Sequence, residues 1–172
     1  MAQGKWELDA AHSEIEFKVK HMMITNVKGN FDNFKIDVDT EGEGFENALA
    51  KVTIDTTSIN TRNEQRDAHL KSADFFDVEK YPAITFDATS LENDQIKGDL
   101  TIRDVTRPVV FDLEFAGIQK DPWGNTKAGF IVEGKIKRSD FGLNWNAALE
   151  TGGVMVSDEV KFSADIQFIK AK

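Results

Sequence analysis

The sequence predicts an all-β fold, an antiparallel eight-stranded barrel with one short helix between the fourth and fifth strands. Three observations predict it. Apolar and polar residues alternate along most of the chain, the connections between the alternating stretches are short, and one segment breaks the alternation. At 172 residues the chain is long enough for one domain, which we expect to span residues 1–172.

The alternation has the period of half-buried strands. In residues 13–21, Ile15, Phe17 and Val19 share a face with His21, while the residues between them are charged. Phe31 is out of phase with the stretch that follows it, as a bulge near Asp32 and Asn33 would produce. The other residues that we expect to face inward are Phe34, Ile36, Val38, Ala48, Ala50, Val52, Ile54, Ile84, Phe86, Ala88, Ile96, Gly98, Leu100, Ile102, Val109, Phe111, Leu113, Phe115, Phe130, Val132, Ile136, Val160, Phe162, Ala164, Ile166 and Phe168.

Turn-forming residues separate the stretches. "EGEG" at 41–44, "END" at 92–94 and "DPWGN" at 121–125 are typical of tight turns. Because short connections join antiparallel neighbours, eight amphipathic strands are expected to close into a barrel or to fold as two packed sheets.

The exceptional segment covers residues 61–76. Thr61 to Glu64 fits a capping box, with Thr61 as the N-cap of a helix that continues to Leu70 or Ser72. Phe75 and Phe76 cannot both face inward from a strand. The segment is therefore either a helix over one end of the barrel with aromatic rings as its plug, or a plain connection whose phenylalanines seal the core.

The predicted interior mixes phenylalanines with alanine and glycine and contains almost no polar residue. These small residues either accommodate the taper of a packed barrel or border a cavity for an elongated apolar ligand. Sugars and nucleotides do not fit such a cavity, because their polar groups would lose water without gaining partners.

Charge and composition exclude several partners. Thirty acidic and 21 basic residues give a net charge of −9, which argues against nucleic acid and anionic membrane surfaces as partners. Cysteine is absent, so disulfides and thiolate metal sites cannot form.

The sequence contains no recognisable catalytic motif. We therefore predict a protein that is not an enzyme, with no catalytic residue, no metal site and no cofactor. Arg138 is the one charged residue on an inward parity. Its guanidinium must be paired, either with Asp140 or Asp67 in a salt bridge that fastens the helix to the barrel, or with a ligand anion.

The first residues, "MAQGKWELD", lack the apolar run of a signal peptide. As written, the protein is expected in the cytoplasm, or in the periplasm or outside the cell if a leader was removed. Whether the protein forms a homodimer stays open, because the sequence does not place Trp6, Trp123 and Trp145 in the interior or on the surface.

Four blocks of the sequence resemble the YceI-like family. They are "WELDAAHSEIEFKVKH", "RDAHLKSADFFDVEKYPAITF", "GDLTIRDVTRPVVF" and "KRSDFGLNW" with the later "VSDEVKF", in family order from Trp6 to about Phe168. The resemblance implies a lipocalin-like barrel that holds a polyisoprenoid or another long-chain lipid. It also implies a binding protein without catalytic activity. Because lipid tails are as apolar as the interior of such a barrel, we expect the lipid to exchange transiently with membranes.

The expected function is to bind, store or transport such a lipid. The alternative is a stress-response or interaction module with a solid core, in which Phe17, Phe86 and Phe111 meet at the barrel axis. The head-group candidates are Arg66, His69 and Arg138. The predicted ligand-binding residues are Phe17, Val19, His21, Phe34, Ile36, Phe75, Phe76, Ile84, Phe86, Leu100, Ile102, Phe111, Leu113, Phe130, Val132 and Phe162.

Overall fold

The computed structural model describes residues 6–22, 24–40, 45, 48–92, 94–143, 148–149, 153–154 and 156–170. These residues form antiparallel β-structure and one α-helix, α1 (Glu64–Lys71), with 3-10 turns at Ala10–His12, Thr56–Ser58 and Arg138–Phe141. The strands are β1 (Trp6–Leu8), β2 (Glu14–His21), β3 (Thr25–Phe31), β4 (Phe34–Asp39), β5 (Leu49–Asp55), β6 (Ile59–Asn60), β7 (Ala83–Glu92), β8 (Gln95–Ile102), β9 (Val105–Lys120), β10 (Thr126–Lys137), β11 (Ala148–Leu149), β12 (Gly153–Val154) and β13 (Val156–Lys170).

Eleven of these strands form one sheet, in the order β4-β5-β7-β8-β9-β10-β13-β2-β3-β6, with β1 paired to β13. The predicted antiparallel topology and single short helix are confirmed for the described residues. The predicted count of eight strands is wrong. Six strands, rather than four, precede α1.

Five strands were not predicted: β1, β11 and β12 are only two or three residues long, and two interrupted stretches of chain explain β3 and β6. Asp32 and Asn33 separate β3 from β4, and the turn at Thr56–Ser58 separates β5 from β6. The two stretches stay joined across these breaks, since the Asp32 amide donates to the Ser58 carbonyl at 3.1 Å and the Asp55 amide donates to Asn33 at 3.0 Å. β4 pairs with β5 and β3 pairs with β6, so both ends of the sheet lie in this pair of stretches. The prediction of a closed barrel is therefore wrong, because the described residues form one sheet that is curled on itself.

Strand β3 was not predicted, because a glycine stands on its inward face. Gly29 lies directly opposite Phe17. A Cβ atom at Gly29 would overlap the Phe17 ring and would lie 2.8 Å from the Thr61 methyl group. The close approach of these side chains requires glycine here, and it removes the apolar residue that would have marked the strand.

Helix α1 begins differently from the prediction. Asn63, not Thr61, is the N-cap, and its side-chain oxygen accepts from the Arg66 amide at 3.0 Å. The Thr61 amide and hydroxyl instead donate to one carboxylate oxygen of Asp67, at 2.9 and 2.5 Å. No residue of α1 is fully buried; hydrogen bonds around Thr61 and the partly buried Leu70, which packs against the core, hold it on the sheet. Within the described residues, no helix has the length and apolar character needed to cross a bilayer.

Candidate ligand-binding cavity

The curled sheet encloses a cavity of about 590 Å³. This volume lies within the range of roughly 300–1,000 Å³ found for ligand pockets. The rings of Phe86 and Phe111 are 5.7 Å apart, and those of Phe111 and Phe162 are 4.5 Å apart. Phe17 instead packs against Phe31, at 5.5 Å. The three rings expected at the axis of a solid core therefore do not fill the interior.

All but one of the predicted ligand and head-group residues line this cavity. The exception is Phe34, which borders a separate pocket together with Phe31 and Asp32. It is the first residue after the break at Asp32 and Asn33. The residues found in the lining are Phe17, Val19, His21, Ile36, Arg66, His69, Phe75, Phe76, Ile84, Phe86, Leu100, Ile102, Phe111, Leu113, Phe130, Val132, Arg138 and Phe162. Their contact with a ligand stays a prediction.

The cavity meets solvent beside the helix. Among the described residues of its lining, four are exposed, namely Glu16, Lys20, Asn63 and Gln65. The first two lie on β2 and the other two at the start of α1. We call this opening between β2 and α1 the mouth. Of the two interpretations of residues 61–76, the structure therefore favours the helix beside the cavity.

Arg66 is the half-buried cation of the mouth. Its Nε donates to the Thr61 hydroxyl at 2.8 Å, and its Nη2 donates to the Thr61 carbonyl at 2.7 Å. These bonds fix the guanidinium group through a neutral residue. No ion pair joins Arg66 to a carboxylate among the described residues.

His69 also lines the cavity, one helical turn after Gln65. Its Nε2 lies 2.9 Å from the Asp74 carboxylate, because the turn after α1 brings Asp74 back over the helix. The ring also packs edge-on against Phe75 at 5.1 Å.

Arg138 is buried, as its inward parity predicted, at 5% exposure. Neither Asp140 nor Asp67 forms the predicted salt bridge with it. Its nitrogens donate to the carbonyls of Leu143, Ser157 and Val156, at 2.7, 2.9 and 3.1 Å. Burial lowers the pKa of this guanidinium, and nearby Asp158 opposes the shift. Arg138 therefore fastens the turn after β10 to the start of β13, in place of fastening the helix.

The far end of the cavity is aromatic, and its central residue was not predicted. Phe45 lines the cavity and lies 4.8 Å from Trp6, 4.7 Å from Phe130 and 5.8 Å from Phe168, measured between ring centroids. No periodic pattern marks it, since it follows the acidic and glycine-rich residues 41–44. The turn predicted there lies outside the described residues. We call Trp6, Phe45, Phe130 and Phe168 the aromatic end.

The tryptophans occupy different environments. Trp6 is buried at 5% exposure, and Trp123 is 82% exposed at the turn between β9 and β10. Trp145 lies outside the described residues. No group of three histidine, aspartate or glutamate side chains in the described part of the chain is arranged to hold a metal ion.

Comparisons with known proteins give a consistent result. The model of the YceI-like domain matches residues 6–168. A UPF0312 protein of Staphylococcus aureus strain N315 is 47% identical over 161 residues, which cover 93% of this chain and 94% of the relative. The crystal structure of a Campylobacter jejuni YCEI protein is 35% identical, with a TM-score of 0.73, over 89% of this chain and 90% of that one.

A polyisoprenoid-binding domain from Saccharophagus degradans, implicated in plant cell wall breakdown, is also similar. It superposes with a TM-score of 0.76 at 17% identity, over 98% of this chain and 100% of that domain. At this identity the similarity shows the fold alone. The family model and the closely matching relatives together show that the chain belongs to the YceI-like family.

Proposed function

We propose that the protein binds a polyisoprenoid or a related long-chain amphiphilic lipid in the cavity, and stores or transports it. The observation that carries the proposal is the cavity of about 590 Å³, whose walls are apolar away from the polar mouth. An apolar chain would occupy the interior and a polar group would remain near water, which is the arrangement that an amphiphile requires.

The free energy of burying a lipid chain favours reversible exchange of the lipid with a membrane. Burying one CH₂ group contributes about 0.8 kcal/mol relative to water, so a five-carbon isoprene unit contributes roughly 4 kcal/mol. Relative to a bilayer this gain nearly vanishes, because lipid tails are as apolar as the cavity. The lipid can therefore return to a membrane, and the proposal assigns no catalytic residue.

The similarity to the polyisoprenoid-binding domain of S. degradans supports the proposed ligand class, since that domain has the same fold. For the head group, Arg66 is the strongest candidate, because its charge has no ion pair among the described residues. His21 and His69 lie in the same lining. Arg138 donates to three carbonyls within the described part of the chain, so we assign it a structural role.

The direct test is extraction of the purified protein with organic solvent, followed by mass spectrometry. We expect a long-chain lipid in a stoichiometric amount, or uptake of an added polyisoprenol by the extracted protein. Ala50 lines the cavity, whereas its neighbour Leu49 is 52% exposed. Ala50→Phe should lower the lipid content, and Leu49→Phe should leave it unchanged.

The solid-core alternative predicts the opposite result. In that case the purified protein contains no lipid, takes up no added polyisoprenol, and responds to neither substitution. A folded protein with these properties would refute the proposed lipid binding.

A further inference from the structure

The outer face of the sheet contains a row of four lysines on adjacent strands. Lys28 on β3 lies directly opposite Lys18 on β2, Lys18 lies opposite Lys161 on β13, and Lys161 lies opposite Lys135 on β10. We call these four residues the lysine row. Neighbouring strands are about 4.8 Å apart, so the row extends over roughly 14 Å.

This arrangement is unfavourable for the fold itself, since like charges directly opposite each other destabilise a sheet. Among the described residues, only Lys135 of the row has an ion pair, with Glu159 at 3.8 Å. Elsewhere in the sheet, Lys51 lies between Asp37 and Asp87 on its two neighbouring strands. A local rule that is broken without structural compensation is characteristic of a functional surface.

The charges around the row are unevenly distributed. Towards the turn between β2 and β3, Lys20 and Lys137 follow on the same faces of β2 and β10, with Glu159 as the acidic neighbour on β13. On the opposite side, two positions along the strands, lie Glu16 and Glu133. The stretch Phe17–Phe31 contains no aspartate or glutamate, although the whole chain has a net charge of −9.

An apolar tip adjoins this basic face. Met22 and Ile24, in the turn between β2 and β3, are 40% and 78% exposed. Lys20 and His21, which immediately precede them, line the cavity. The basic face, the apolar tip and the mouth are therefore continuous along β2.

From this continuity we propose that the lysine row and the tip dock the protein on the surface of an anionic phospholipid bilayer, with the mouth beside the membrane. The lysines contact phosphate groups, and Met22 and Ile24 enter the interfacial layer. A bilayer is favoured over a soluble polyanion because the exposed apolar side chains adjoin the cations. The inference extends the proposed lipid binding by naming the surface through which the ligand enters and leaves.

The test measures binding of the full chain to vesicles by sedimentation. Phosphatidylcholine vesicles are compared with vesicles that also contain phosphatidylglycerol, at low and high salt. The wild type should prefer the anionic vesicles and lose this preference at high salt. Lys18→Gln with Lys161→Gln should weaken binding about thirty-fold, since each basic residue near an anionic surface contributes about a five-fold change.

The matched control is Lys35→Gln with Lys51→Gln, which removes the same charge from exposed positions on β4 and β5. It should change vesicle binding less than about three-fold. For the tip, Met22→Ser with Ile24→Ser should weaken binding, whereas Trp123→Ser at the exposed turn between β9 and β10 should not. Thermal unfolding of each variant verifies that it is folded.

Equal binding of the wild type to both kinds of vesicle would overturn the proposal, as would equal losses in the two lysine variants. Tighter binding to double-stranded DNA than to anionic vesicles, lost in the same lysine variant, would assign the row to a polyanion and also overturn it. The lipid content of the purified protein is measured separately, by extraction and mass spectrometry. A lipid-loaded protein that ignores vesicles would refute the docking surface alone, and a vesicle-binding protein without lipid would refute the proposed ligand alone.

Discussion

The mouth and the aromatic end of the cavity are built by different interactions. At the aromatic end, Phe45 has three rings within 5.8 Å, from Trp6, Phe130 and Phe168. At the mouth, no residue of α1 is fully buried, and hydrogen bonds around Thr61 help to hold the helix on the sheet. Packed aromatic groups give local stability, whereas segments with few buried contacts open at low free energy. The comparison indicates that the aromatic end stabilises the fold and that the mouth is the end suited to ligand exchange.

The substitution with the largest expected effect removes one ring from the aromatic end. Phe168 is 4% exposed, and Phe168→Ala should lower the free energy of unfolding by about 3–5 kcal/mol. Chemical denaturation measures this change. Trp123→Ala is the control, because an 82% exposed ring contributes little to the core. A loss below about 1 kcal/mol for Phe168→Ala would show that the aromatic end does not stabilise the fold.

At the mouth, Arg66→Gln should affect binding more than stability. We expect affinity for a polyisoprenyl phosphate to fall by about 1.5–3 kcal/mol, the contribution of a hydrogen bond to a charged group. Affinity for the corresponding uncharged polyisoprenol should change less. Fluorescence titration measures both. Arg62→Gln, at an exposed position outside the lining, is the matched control, and an equal loss in that variant would contradict a specific role for Arg66.

The ion pair near the aromatic end gives a pH dependence. Lys127 donates to Asp9 at 2.7 Å and holds the pKa of this carboxyl below its usual range, against the opposing effect of burial. Because the folded-state pKa is lower than the unfolded value near 3.9, the stabilisation is present above that value and is lost as the pH falls through the folded pKa.

Asp9→Asn should therefore lower the free energy of unfolding by about 1 kcal/mol at pH 7 and by less at pH 3. Denaturation at both pH values measures the difference. A cost that does not decrease in acid would show that the Asp9 charge is not responsible.

The smallest expected effect concerns the lysine row. Lys18→Gln should raise the free energy of unfolding by about 0.5 kcal/mol, because it removes like charges from directly opposite positions. Lys51→Gln should lower it slightly, since it leaves Asp37 and Asp87 without the cation between them. Thermal denaturation at low salt compares the two, and the same sign in both variants would contradict this account.

The strands with a regular period were predictable from the sequence, because burial on one face imposes alternation. Ile15, Phe17 and Val19 on β2 are examples. β3 was missed, because Gly29 makes room for the Phe17 ring. Phe45 was missed because it packs through tertiary contacts alone. In both places the determining atoms are remote in sequence, and no local pattern encodes them.

The residues that line the cavity were predicted more accurately than the hydrogen bonds that they form. Inward parity correctly buried Arg138, but carbonyl oxygens bind it where carboxylates were expected. The net charge of −9 argued against an anionic membrane, whereas the strand register aligns four lysines on one face. The net charge contains no information about which residues lie opposite each other. The lysine row could therefore be found only from the pairing of the strands.

The pairing of β2 with β13 has a consequence for synthesis. Ile15 is opposite Ala164, and Trp6 on β1 is opposite Lys170, so strands from the two ends of the chain are direct neighbours. Until β13 has been synthesised, β2 and β10 each lack a partner along one edge. The curled sheet can close only once β13 is available, and contacts of such long sequence separation form slowly. Before that point β2 and β10 present unpaired edges, and unpaired strand edges favour aggregation.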